Sequence, residues 1–201
     1  MFIAISGIDG AGKTVQVQLL RKELIRRGHT VEIIKAYDDD VKLLCKPLID
    51  RFSDPMAIMF LFQALHAQQF RNAVEALERG TTVIADRWDE SYLGYHTNFG
   101  ILANQEDTRN MLNEVAFRGL VPDIGITLKL PVQTARLRRE GRGFAGEFDA
   151  PSDDHFHRLQ STYVSIATQR GWTVLDGSGS RLEVRRRIME VVEPMLAPSQ
   201  K

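Results

Sequence analysis

Cysteine is nearly absent from the 201-residue chain, where Cys45 stands alone. An internal disulfide framework is therefore excluded, as is a metal site built only from thiolates. A reducing, cytoplasmic setting is expected. Excess charge of either sign is lacking too, since 26 basic side chains face 26 acidic ones. A nucleic-acid polymer would require a basic excess, so no such partner is expected, although a local basic pocket for a small anion is still allowed. No apolar run approaches the roughly 20 residues that cross a bilayer, so no membrane partner is expected. The opening MFIAISG lacks the basic leader of a secretion signal. Internal repeats and low-complexity stretches are missing as well. What remains is a soluble protein, 43% hydrophobic, long enough for one core of ordinary size and read as a single domain over 1–201.

What is present is an alternation of short apolar runs with longer amphipathic segments. Runs at 2–6, 31–36, 82–86, 123–130 and 172–175 are rich in Ile and Val and alternate weakly. That is the pattern of strands covered on both faces. Helical patterns lie between them. One follows Lys13 and stops near Gly28. A second opens on Ser53-Asp54-Pro55, a cap with proline at the first helical position. Others start near Asn104, at Pro131, near Asp154 and near Arg181. Such alternation predicts an α/β fold, a parallel sheet with right-handed crossovers and helices on both faces. The stretch 141–153, with its three glycines and three acids, reads as a loop.

The strongest local signal is GIDGAGKT at 7–14, between the first strand and the first helix. Gly7, Gly10 and Gly12 permit backbone angles that a β-carbon resists, so main-chain N–H groups can curl around a phosphate chain. The helix that follows begins with unpaired N–H groups and the positive end of its dipole. Lys13 supplies a point charge for the β- and γ-phosphates, and Thr14 offers a hydroxyl to Mg²⁺. The predicted ATP-binding set is Gly7, Gly10, Ala11, Gly12, Lys13, Thr14 and Val15.

The motif alone does not separate kinases from other nucleotide triphosphatases. The sequence contains no Asn-Lys-x-Asp element of the kind that reads guanine. Asp86-Arg87 closes the third strand, and carboxyl ends of parallel strands face the ligand crevice. Asp86 is therefore expected near Thr14 as a second Mg²⁺ ligand. The run Arg136, Arg138, Arg139, Arg142 adjoins the glycine-rich stretch and reads as a lid over about 136–153 that neutralises a moving phosphoryl group. Arg136 and Arg139, three residues apart, can share a helix face, whereas Arg138 points elsewhere on an ideal helix.

Together GIDGAGKTVQ, FQALHAQ, VIADRWDESYLGYH and PDIGITLKLP with its arginine-rich continuation resemble the thymidylate kinase family over essentially the whole chain. The resemblance implies a three-layer P-loop kinase fold with a five-stranded parallel sheet and a short lid. It also implies transfer of the ATP γ-phosphoryl to a deoxynucleoside monophosphate, most simply dTMP. Carried over to matching positions, it gives Asp9 the sugar 3′-hydroxyl, Arg87 the acceptor phosphate, Phe62 the base face, Tyr95 the underside of the sugar, and Ser91 a polar place near the base. His66 stands where the family carries an arginine that reads the thymine 4-carbonyl. His96 replaces its usual glutamine, Val15 a threonine, and KAYDDD its Arg-Glu-Pro-Gly. Lys35 or Tyr37 is left to reach the acceptor phosphate. The loop at 177–180 matches the place where the family holds adenine. Because Gly10 stands where some members carry arginine, the transition-state charge falls to Arg136, Arg139 or Arg142.

The acceptor is already a strong oxygen nucleophile, so positioning and charge neutralisation suffice, with Lys13, Arg87 and the lid arginines as the catalytic set. The family also implies a possible homodimer. Two other readings stay open on sequence: a kinase of the same fold acting on another nucleotide or metabolite, and a nucleotide-binding partner protein without turnover.

Overall fold

The chain folds around the apolar runs identified above. The computed structural model describes residues 1–141 and 152–196. Its strands are β1 (Phe2–Gly7), β2 (Val31–Ile34), β3 (Thr82–Asp86), β4 (Ile124–Lys129) and β5 (Thr173–Asp176). All pair in parallel, in the order β2-β3-β1-β4-β5. Every residue of β1 is buried. Its side chains divide between the layers: Ile3 and Ile5 join the core with Leu20, Leu24, Ile126 and Ile188, while Phe2 and Ala4 join Val83, Ala85, Trp88 and Phe117. Two apolar faces on one strand explain why the sequence showed little alternation.

The helices are α1 (Lys13–Arg26), α2 (Asp39–Arg51), α3 (Pro55–Glu78), α4 (Asp89–Asn98), α5 (Glu106–Phe117), α6 (Val132–Glu140), α7 (Asp153–Gln169) and α8 (Arg181–Val192). This is the α/β fold expected: five parallel strands between helical layers. Cap chemistry sets several ends. The Asp54 carboxylate accepts from Met56 N at the start of α3, and Ser180 and Glu183 form a reciprocal capping box at α8.

Periodicity assigned no element to 37–52 or 88–103, where α2 and α4 form. The buried face of α4 is Asp89, Glu90, Tyr92, Gly94 and His96, which is not an apolar stripe. Helix α2 carries Pro47 inside it and buries only Cys45 among its residues. Its aspartates are spent on the helix start: Asp38 accepts from Val41 N at 2.8 Å, and Asp39 and Asp40 occupy the first turn. The second strand ends at Ile34, two residues before the sequence-based boundary.

With β1 between β3 and β4, the connections leaving β1 and β4 run to opposite edges of the sheet. A crevice opens there at the carboxyl ends of the strands. The 7–14 loop, Asp86, Arg87 and the start of α6 all reach that crevice.

Candidate functional site

The loop between β1 and α1 takes the shape its glycines allow. Gly7, Gly10 and Gly12 have φ of 135°, 89° and 91°. At Gly10 a β-carbon would lie 2.1 Å from the Ala135 carbonyl oxygen, so neither the angle nor the space admits a side chain. No side chain caps α1, which leaves its first N–H groups available to an anion. Lys13 is 6% exposed; its Nζ donates to the Ile8 carbonyl at 3.0 Å and lies 3.5 Å from Asp9 Oδ1. Burial, and then the charge of Arg87, push its ammonium down to about 8, against the pull of Asp9 and Asp86.

Thr14 Oγ1 donates to Asp86 Oδ2 at 2.7 Å, and Lys35 Nζ lies 4.0 Å from the same oxygen. A hydroxyl against a buried carboxylate is a hard-oxygen donor set, the kind that suits Mg²⁺. Among the described residues no group of three His, Cys, Asp or Glu side chains could hold a metal by itself. Water or phosphate oxygens would complete the coordination of an ion at Thr14 and Asp86.

Arg87 follows directly and adopts a left-handed backbone, with φ of 75°. Its guanidinium donates to Asp9 Oδ1, to Tyr163 Oη at 3.0 Å and to Ser91 Oγ at 3.3 Å. Burial opposes its charge, but Tyr163, Asp9 and Asp86 outweigh burial and hold it firmly protonated. Asp9 in turn is held well below the usual carboxylate range, chiefly by Arg87. One exposed carboxylate oxygen thus touches both Lys13 and Arg87.

Of the residues the resemblance assigned to the acceptor, Ser91 touches Arg87 directly. Phe62, on α3, has the Tyr37 ring at 5.4 Å. Ser91 and Tyr95 are one turn apart on α4, and Tyr95 is 43% exposed. His66 is turned inward: its ring lies 5.2 Å from Phe117 and 6.1 Å from Tyr92, and its Nδ1 is buried with no hydrogen-bond partner. His96 lies 4.6 Å from Tyr92, also with an unpartnered buried Nδ1. Burial pushes both imidazoles down to about 4.

The arginine run divides. Arg136 donates to Glu140 at 2.9 Å and reaches Asp153 at 3.5 Å, while Arg139 lies 4.8 Å over the Phe156 ring, where its charge acts on Asp9. Both therefore lie along α7. Arg142 falls outside the described residues, as does most of the lid span. Arg138 faces the other way and donates to the carbonyls of Gly177 and Gly179 at 3.2 and 3.4 Å. It lines a cavity of about 360 Å³ with Ala11, Gly12, Val15, Gln16 and Ser180. Sequence reasoning had set Arg138 aside. Its signal was the glycine-rich turn 177–179, whose carbonyls need donors. Tyr163 gave no signal at all, because nothing local marks it as the partner of Arg87.

The family model described as thymidylate kinase matches residues 5–188. A thymidylate kinase of Thermosipho melanesiensis is 31% identical over 202 residues, covering 98% of this chain and 99% of that protein. One from Halothermothrix orenii is 31% identical with 98% of each covered. One from Prochlorococcus marinus (strain MIT 9313) is 31% identical over 87% of this chain and 85% of its own length.

Proposed function

The chain belongs to the thymidylate kinase family, and from that premise we propose how its own residues carry the transfer of the ATP γ-phosphoryl group to the 5′-phosphate of dTMP, giving ADP and dTDP. The observation that carries the assignment of roles is the shared contact on Asp9. The phosphate-loop cation Lys13 and the crevice arginine Arg87 meet on one carboxylate oxygen. A donor phosphate on the first and an acceptor phosphate on the second would therefore lie side by side.

In this reading the N–H groups of 7–14 and of the start of α1 grip the donor polyphosphate, with Lys13 on its outer phosphates. The adenine enters the cavity beside Arg138. Arg87 takes the acceptor phosphate, and Asp9, released from both cations, is free for the sugar hydroxyl. Phe62 faces the base, with Ser91 and Tyr95 on the opposite wall. A Mg²⁺ ion held by Thr14 and Asp86 would supply charge neutralisation of the β- and γ-oxygens. An acceptor oxygen at neutral pH is already ionised, so no general base is required. Rate comes from alignment and from fixed positive charge in a dehydrated crevice. Arg139, whose charge already acts on Asp9, is the described lid arginine best placed to follow the moving group. Arg136 serves the hinge with α7.

A panel of mononucleotides assayed for ADP formation tests this function. Turnover with dTMP is expected, and silence with every mononucleotide would overturn it. His66, packed against Phe117 and Tyr92, supports base selection that rests on shape and stacking more than on a charged reader. Within the same panel, dCMP, which carries an amino group in place of the 4-carbonyl, should therefore compete better than a guanidinium reader would allow. The chain would work as one kinase domain in the cytoplasm. Among the described residues no helix is long and apolar enough to cross a membrane. Exposed Leu43, Leu44, Met56 and Phe60 on α2 and α3 support a homodimer through that side, which sedimentation measures directly.

A further inference from the structure

Arg87 pays a conformational penalty for its position. A residue with a β-carbon disfavours φ of 75°, and such backbone persists only where its surroundings over-determine it. Three backbone groups of the turn are held by distant or buried partners. Arg87 N donates to the Ile5 carbonyl at 3.1 Å, which ties the turn to β1. The Arg87 carbonyl accepts from Gln69 Nε2 at 2.8 Å, which ties it to α3. Trp88 N donates to the Glu90 carboxylate, with Oε1 at 3.1 Å and Oε2 at 3.0 Å.

Glu90 acts a second time, on the side chain. Ser91 Oγ donates to Glu90 Oε1 at 3.2 Å and so presents a lone pair to Arg87, whose NH1 reaches it at 3.3 Å. The turn and the guanidinium therefore hang on one carboxylate. Both clamping residues are almost fully buried, Glu90 at 1% exposed and Gln69 at 2%. Burial, and then Asp89, push the Glu90 carboxyl up to about 7, so an acid at such depth is costly unless its oxygens are used. Here it offers two oxygens to one N–H and a further lone pair to Ser91.

We propose that Glu90 and Gln69 are positioning residues for phosphoryl transfer: they hold the left-handed turn that aims Arg87 at the acceptor phosphate. This rests on the reading of Arg87 as the acceptor-phosphate residue. Neither group touches the reacting atoms, and both act through Arg87.

The test is a double-mutant cycle with full steady-state kinetics, using dTMP and ATP each varied in turn, on Arg87→Ala, Glu90→Ala, Gln69→Leu and the double variants. Glu90→Ala should raise the dTMP KM about tenfold or more, with the ATP KM unmoved. Glu90→Gln keeps one oxygen for Trp88 N and should recover most of that loss. On an Arg87→Ala background Glu90→Ala should add almost nothing, because the group it positions is gone. Should Glu90→Ala fail to fold, Gln69→Leu carries the same cycle. Equal rises in both KM values, no change in either, or full additivity with Arg87→Ala would overturn the positioning role while leaving Arg87 in place. An unchanged dTMP KM in Arg87→Ala itself would overturn the reading of Arg87, and the proposal with it.

Discussion

Lys13 and Arg87 meet the same carboxylate, yet they reach it by different routes. Lys13 belongs to a stretch that is local in sequence: it donates to a carbonyl five residues away, within a loop whose shape its glycines set. Arg87 is bound to residues 78 and 76 positions distant, Asp9 and Tyr163, and its carbonyl is held from α3. The proposed donor side is made of backbone, which any chain with the right glycines can present. The proposed acceptor side is made of side chains from β3, α3, α4 and α7, which only the packed sheet brings together. One side is therefore sensitive to changes that alter main-chain shape, and the other to changes anywhere in its supporting shell.

The largest effect should come from the donor side. Lys13→Ala removes the only loop cation and is expected to lower kcat by about 10²–10³ with the circular dichroism of the fold intact. Turnover equal to the parent would take Lys13 out of the chemistry. Gly10→Ala should be comparably damaging, but through shape, since its β-carbon meets the Ala135 carbonyl at 2.1 Å. ATP binding measured by calorimetry should then fail, although no charged group has been touched.

Next in size is the acceptor side. Arg87→Ala should raise the dTMP KM by about 10- to 100-fold and leave the ATP KM within error, a loss on the scale of one buried charged hydrogen bond, about 1.5–3 kcal/mol. Arg138→Ala should show the mirror image, a several-fold rise in the ATP KM alone, because its contacts are with the turn that borders the donor cavity. If both variants moved both KM values together, the separation of the two sides would be wrong.

The smallest effect is on stability. The helical layer behind the acceptor wall buries His66 and His96, both lowered from 6.5 to about 4. In the unfolded chain these imidazoles take up protons first. Their contribution to stability is therefore complete above about pH 6.5 and is lost as pH falls toward 4. That loss should lower the thermal midpoint between pH 7.5 and pH 5, against an opposite trend from Glu90, whose carboxyl burial pushes up to about 7. His66→Leu should flatten part of that slope, and a slope unchanged by it would show that this imidazole does not stay neutral in the fold.

Much of this architecture could be read along the chain because its causes are local. Buried parallel strands announce themselves as Ile- and Val-rich runs, and the phosphate loop as glycines at fixed offsets. Asp86 could be placed by its position at a strand end, and the structure sets it 2.7 Å from Thr14. Helix α4 stayed hidden because its inward face carries Asp89, Glu90 and His96, residues that pattern reading assigns to solvent. Asp89 is there to hold Arg170 from α7, a partner 81 residues away. The same limit applied to the arginine run. Spacing could tell that Arg136 and Arg139 share a side of α6, but not that this side lies along α7 while Arg138 meets the carbonyls of Gly177 and Gly179.

The sequence by itself settled the sheet and the glycine-shaped loop, because backbone conformation and hydrophobic burial are short-range demands written residue by residue. Only the tertiary structure decided that Lys13 and Arg87 meet on Asp9, what holds the strained turn at Arg87, and which way His66 points. Those depend on side chains far apart in the chain meeting in a low-dielectric crevice, and no local pattern encodes their meeting.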